Sequence, residues 1–131
     1  MVNAFNHELN SEEEMDFWRA FEQTTDGQYF LGSNTWGLWR MERTQFVGSP
    51  NWFKVSGLPS EKINALAASD DGSLFIGTDD AGLWRMDPQK NLTRFEEVPA
   101  GRIRELVYDP TVMPAALYVV TGDQLYVLRG Y

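Results

Sequence analysis

The apolar residues of this chain come in short runs, not in helical stripes. Leu74, Phe75 and Ile76 follow one another, and Ala116–Val120 is apolar throughout. Turn chemistry bounds each run: Thr-Asp-Gly at 25–27, Asp-Asp-Gly at 70–72, Asp-Asp-Ala-Gly at 79–82 and Gly-Asp at 122–123. Runs rich in β-branched and aromatic residues between such turns predict strands, because Gly accepts the positive φ that a tight hairpin demands. Consecutive apolar residues put apolar side chains on both faces of a strand, so the sheet that holds Leu74–Ile76 is expected to lie between two others. The predicted strands fall in three sets: Trp18–Gln23, Gln28–Gly32, Gly37–Met41 and one near Trp52–Val55; Ile63–Ala68, Leu74–Thr78, Gly82–Met86 and Leu92–Val98; Ile103–Tyr108, Leu117–Thr121 and Leu125–Leu128. One stretch competes. Ser11 and Glu14 form a capping box, and Trp18 and Phe21 sit a helical turn apart, so Ser11–Phe21 read alone is a helix start.

An internal repeat decides for strand. Trp18–Met41 aligns with Ile63–Met86 at a constant offset of 45, with ten of 24 positions identical, among them Gly32/Gly77 and the whole of Gly-Leu-Trp-Arg-Met. The alignment lays Trp18–Phe21 over Ile63–Leu66, just ahead of a hairpin turn, and leaves at most one helical turn near Glu12–Met15. A third, more worn copy follows, in which Ile103–Pro110 matches the segment from Ile63 and Ala116–Arg129 matches that from Ser73. A period near 45 residues means helical pairs or four-stranded propeller blades, and the strand pattern selects the blades.

Gly57–Asp87 resembles the two-component regulator propeller repeat. The resemblance rests on Gly57, Leu58, Pro59 and Ser60, then Ile63, Ala65 and Leu66, then Gly72, Leu74, Ile76, Gly77 and Thr78, then Gly82, Leu83, Arg85 and Asp87. Phe75 stands where that family usually has Trp, the first copy lacks the Gly-Leu-Pro-Ser lead-in, and the third has Gln124, Leu125 and Val127 in place of its Gly-Leu and Arg positions. The resemblance implies a β-propeller. In that family such blades form the extracellular sensing half of hybrid histidine kinases, which detect polysaccharide fragments, and they also serve as binding platforms. Nothing in this chain resembles the kinase, regulator or DNA-binding parts, so the sensing role does not follow from the blade.

The fold expected is therefore all-β: blades of four antiparallel strands, about three per chain, forming one module over 1–131. Blade 1 covers 17–56, blade 2 covers 57–100, and blade 3 covers 101–131 and lacks its last strand; residues 1–10, strand-compatible, are the expected closing strand. Propellers have about four to eight blades, so three are too few to close alone and would leave apolar faces exposed. A homo-oligomer is expected to complete the ring, a six-bladed dimer ahead of a nine-bladed trimer.

Composition narrows the function. A net charge of −8 opposes binding to nucleic acid and suits a basic protein partner. The absence of cysteine removes disulfides, thiolate metal sites and cysteine nucleophiles. No run has membrane-spanning length, and the first residues have neither the basic start nor the apolar core of a signal peptide, so a cytoplasmic protein is expected. His7 is the only histidine and has no Ser/His/Asp arrangement about it. Asp70, Asp71, Asp79 and Asp80 could bind calcium, but they occupy turn positions where Asp is favoured anyway. The acidic run Glu12–Glu14 with Asp16 reads as a solvated loop.

No metal, cofactor or catalytic residue is expected. Trp39, Trp84 and Tyr126 share one strand position and are expected to pack between blades, with Arg40 and Arg85 on the opposite strand face as ties from one blade to the next. Trp36 and Trp52, beside loops, are the expected partner contacts, with Asp79 and Asp80 at the acidic loop tips. A protein partner is the first expectation and a sugar, stacked on tryptophan, the second. An enzyme of the propeller lyase or sialidase type is disfavoured by the missing histidine pair and arginine triad.

Overall fold

A computed structural model describes residues 18–42 and 51–130. The expected closing strand over 1–10, His7, the capping box, the helical turn near Glu12–Met15 and the acidic run lie outside the described residues. Those described are all-β, with no helix and eleven strands: β1 (Trp18–Gln23), β2 (Tyr29–Ser33), β3 (Leu38–Glu42), β4 (Asn51–Lys54), β5 (Ile63–Ala68), β6 (Leu74–Thr78), β7 (Leu83–Met86), β8 (Leu92–Arg94), β9 (Glu105–Asp109), β10 (Ala116–Val120) and β11 (Leu125–Arg129). They form three antiparallel sheets in the orders β1-β2-β3-β4, β5-β6-β7-β8 and β11-β10-β9.

Trp18–Gln23 is a strand, paired with Tyr29–Ser33 from Trp18↔Ser33 to Gln23↔Tyr29. Cross-strand pairing outweighs the local helix signal. Two strands depart from their predicted bounds by two residues or more. β8 ends at Arg94, not Val98, because the chain turns back after Phe95, whose carbonyl accepts from the Val98 amide. β9 begins at Glu105, not Ile103, because the Ile103 amide donates across to the Thr78 carbonyl of the second sheet at 2.8 Å.

Register fixes which side chains share a face. Leu66, Ile76 and Trp84 are in line across β5, β6 and β7, as are Ala67, Phe75 and Arg85 on the opposite face. The first set faces the first sheet, in a core that includes Phe30, Leu38, Ile63, Leu74 and Met86. The second faces the third sheet, in a core that includes Phe75, Leu83, Ile103, Leu117 and Val119. The second sheet is thus buried on both faces, as the consecutive apolar residues require.

The two joints are built alike. A Cβ added to Gly32 would lie 2.6 Å from Ile63 Cγ2, and one added to Gly77 would lie 2.6 Å from Ile103 Cγ2. Backbone bonds repeat beside them: the Gly37 amide donates to the Glu61 carbonyl at 2.8 Å and the Gly82 amide to the Gly101 carbonyl at 3.0 Å.

Gly77→Ala therefore forces the second and third sheets apart, and the expected cost is about 1–3 kcal/mol, read from the denaturant midpoint at unchanged slope. Ile103→Ala is itself costly, at about 2–5 kcal/mol, but the double variant should lose less than the sum of the two single losses, since the two changes share one contact. A single variant as stable as the parent would show that the close approach is not a constraint.

Candidate functional site

One end of the sheets carries the β2–β3, β6–β7 and β10–β11 loops together with the β4–β5 and β8–β9 connections. The repeat builds its loops with one hydrogen-bond plan. Ser33 Oγ donates to the Gly37 carbonyl at 2.8 Å and accepts from the Trp36 amide at 2.8 Å. Thr78 Oγ1 does the same with the Gly82 carbonyl at 2.7 Å and the Ala81 amide at 2.9 Å. Gly37 and Gly82 close their loops at φ of 86° and 80°, where a side chain would strain the backbone. Two residues on, the indole Nε1 of Trp39 donates to the Trp36 carbonyl and that of Trp84 to the Ala81 carbonyl, each at 3.0 Å. The third loop is one residue shorter, with Thr121 bonded to Gln124 and Tyr126 in the tryptophan position.

Trp84 is half-buried and packs on the core between the first and second sheets; Tyr126 packs on the core between the second and third. Arg85 makes its observed contacts within its own sheet. Arg85 Nε donates to Ser73 Oγ at 3.1 Å and its guanidinium lies 3.5 Å from Asp71. Arg40 lies over the Phe53 ring at 5.0 Å. Each arginine thus supports the hairpin or strand beside it.

The structure does not bring the four expected contact residues together. Trp36 is on the loop rim, 52% exposed, with its ring edge-on to Trp18 at 6.1 Å. Trp52 lies in β4, half-buried and in register with Met41, toward the opposite end of the sheet. Asp79 and Asp80 are on the rim but already engaged. Asp79 accepts from Asn64 at 3.0 Å and pairs with Arg102 at 3.2 Å, while Asn64 also donates to the Ile103 carbonyl at 3.1 Å. Asp80 accepts from Ser60 at 2.5 Å. These acids clamp connections to sheets. The organising roles of Ser33, Thr78, Asn64 and Arg102 were missed by sequence reasoning, although the Ser33/Thr78 match within the repeat was a visible signal.

Two cavities open on this rim. One of about 300 Å³ is lined by Gly37, Lys54, Gly57, Ser60 and Glu61, with the Lys54–Glu61 ion pair at 2.8 Å in its wall. The other, of about 240 Å³, is lined by Arg102, Thr121, Asp123 and Tyr126 among others. Both are small for ligand sites. Asp70 and Asp71 lie at the other end of β6 from Asp79 and Asp80, so the four do not converge. Among the described residues no group of three or more acidic or histidine side chains could hold a metal, and no helix is long and apolar enough to cross a membrane. No family model matches the chain, and no curated protein matches it.

The opposite rim carries the β1–β2 and β5–β6 turns, each centred on an aspartate. Partial burial pushes Asp71 up, but bonds from the Ser69 hydroxyl and the Ser73 amide, with Arg85 nearby, outweigh it and hold the carboxyl below its usual range. Asp26 is likewise pushed up by burial and brought below its usual range by Thr24, Gln28 and Lys90. A carboxylate so lowered contributes stability above its unfolded pKa and loses it as pH falls through the lowered value. Burial pushes Glu22 up, which acts in the opposite sense. Thermal stability should therefore fall on acidification below about pH 4, and Asp26→Asn with Asp71→Asn should flatten that limb. Asp87 and Asp109, held down by Asn91 and Thr111, keep the remaining slope. An unchanged acid limb in the double variant would remove these turns as its source.

Proposed function

We propose that this chain is a non-enzymatic binding and assembly module made of three β-propeller blades. The repeat of about 45 residues, the two-sided burial of the second sheet and the resemblance of Gly57–Asp87 to the two-component regulator propeller repeat support the blade reading. The non-enzymatic reading rests on the sequence, which has one histidine and no cysteine. One observation carries the binding reading. Trp36 stands 52% exposed on the loop rim, at the position that Ala81 fills in the second repeat. The hydrogen-bond plan of that loop uses only the backbone of this residue, so the plan does not require a tryptophan side chain. Large exposed aromatics are favoured anchors for partners. The charge of −8 suits a basic protein surface.

A carbohydrate ligand is the second reading, favoured by the edge-on Trp18–Trp36 pair. Trp36→Ala separates contact from structure. It converts the first loop to the residue that the second already carries and removes the edge-on contact with Trp18, so stability should fall by no more than about 1.5 kcal/mol. Capture of a protein from the native source, or binding on a glycan array, should weaken by about 2 kcal/mol or more. A variant that binds as the parent does would remove Trp36 from the contact. Protein capture and glycan binding distinguish the two readings.

A further inference from the structure

The first and third sheets each turn one apolar face away from the second sheet. In the first sheet that face carries Gln23, Trp52 and Lys54 and, beside them, Trp18, Phe21, Tyr29, Leu31, Trp39 and Met41. At the repeat offset of 45 the last six are the counterparts of Ile63, Leu66, Leu74, Ile76, Trp84 and Met86, the side of the second sheet that packs on the first. All six counterparts are apolar or aromatic, yet Phe21 is 58% exposed where its counterpart Leu66 is buried. In the third sheet the outward face carries Val107, Tyr118, Val120, Leu125 and Val127, with the charged Glu105, Asp109 and Arg129 at the strand ends. Tyr118 and Leu125 are the counterparts of Phe30 and Phe75 and of Leu38 and Leu83, all four of which are fully buried in the internal joints. Leu125 is 61% exposed, Val107 51% and Val127 45%.

We infer that the partner of these faces is a second copy of this chain, joined head to tail, the outward face of the third sheet on the outward face of the first. This rests on the reading of the three sheets as propeller blades. One chain carries both halves of a joint that it already makes twice within itself. A head-to-tail contact either closes or runs on as a filament. Two copies give six sheets, inside the range of about four to eight at which propellers close, and three copies exceed it. The joint between copies differs from the internal ones in the third sheet's three described strands, in Gln124 and Val127 at the glycine and arginine positions, and at the point of close approach. Where Gly32 meets Ile63 and Gly77 meets Ile103, Val120 meets Trp18, so this joint sets its strands further apart while staying apolar.

Two substitutions test the joint from either side. Phe21→Lys charges the face of the first sheet, and Leu125→Asp charges that of the third. Both sites are exposed in the single chain, and circular dichroism and thermal unfolding check that each variant is folded. Light scattering of the unaltered chain at micromolar concentration should give twice the 15.0 kDa chain mass. Each variant alone should give the single-chain mass. Mixing the two should restore the doubled mass, since one joint is then unaltered and the other sets Lys against Asp. An unaltered chain that is folded and single overturns the inference and leaves the binding role of Trp36 to its own test. So does a folded variant that keeps the doubled mass, a mixture that stays single, or a mass that climbs past the doubled value as concentration rises.

Discussion

Neighbouring sheets in this protein meet where a strand has no side chain. Gly32 and Gly77 sit in β2 and β6 so that Ile63 and Ile103 of the following sheet press against bare backbone. Much else follows from that contact. The isoleucine lies at or just ahead of the first strand of its own sheet, so the connection from the preceding sheet must end beside it. Backbone bonds from Gly37 to Glu61 and from Gly82 to Gly101 hold that connection in place. With the connection fixed, Phe30 and Leu38 in one joint and Phe75 and Leu83 in the other reach full burial. Such interiors tolerate little change in volume, because they pack as densely as molecular crystals.

The recurring Gly-Leu-Trp-Arg-Met divides its work by residue. The glycine leaves the loop at positive φ, and the leucine enters the joint with the following sheet. The tryptophan turns to the other face and returns its indole N–H to the loop it has just left. A loop carbonyl that would otherwise depend on water gains a fixed donor. The arginine faces away from the tryptophan; in the second repeat it holds the aspartate hairpin of its own sheet, and in the first it covers Phe53. Five letters therefore serve a loop, two faces and a hairpin or strand at once. That density of roles explains why they recur unchanged while flanking positions differ.

Much of this was legible because strand, turn and repeat are local or periodic signals. β1, β5 and β6 lie where their patterns put them. Trp18–Gln23 was ambiguous alone and was decided by its alignment with a clearer copy. What escaped depends on distance in space. Nothing local in Leu92–Val98 shows that the chain turns back at Phe95. Ile103 looked like a strand residue because it is apolar, but its amide serves the neighbouring sheet. Arg85 was expected to reach the next sheet, yet a partner 14 residues back in its own hairpin was nearer. Trp52 and Trp36 both follow polar loop letters, and only the fold shows that they occupy opposite ends of one sheet. Asp79 and Asp80 looked free because Asn64, Arg102 and Ser60 are remote from them in sequence.

The third repeat departs from the other two at several positions. Val120 replaces the glycine of close approach, Val127 replaces the arginine, and Tyr126 replaces the tryptophan above a loop one residue shorter. The inward face keeps its packing, with Leu106, Leu117 and Val119 all buried. The changes of chemical kind, glycine to Val120, arginine to Val127 and alanine to Glu105, fall on the outward face. Apolar surface left in water is unfavourable at about 25 cal/mol per Å², and a flat apolar sheet face invites association. The apolar part of that face, Tyr118, Val120, Leu125 and Val127, is what a covering neighbour would take out of water. The second sheet shows what such contact requires: two apolar faces, each covered by a neighbour built on the same plan.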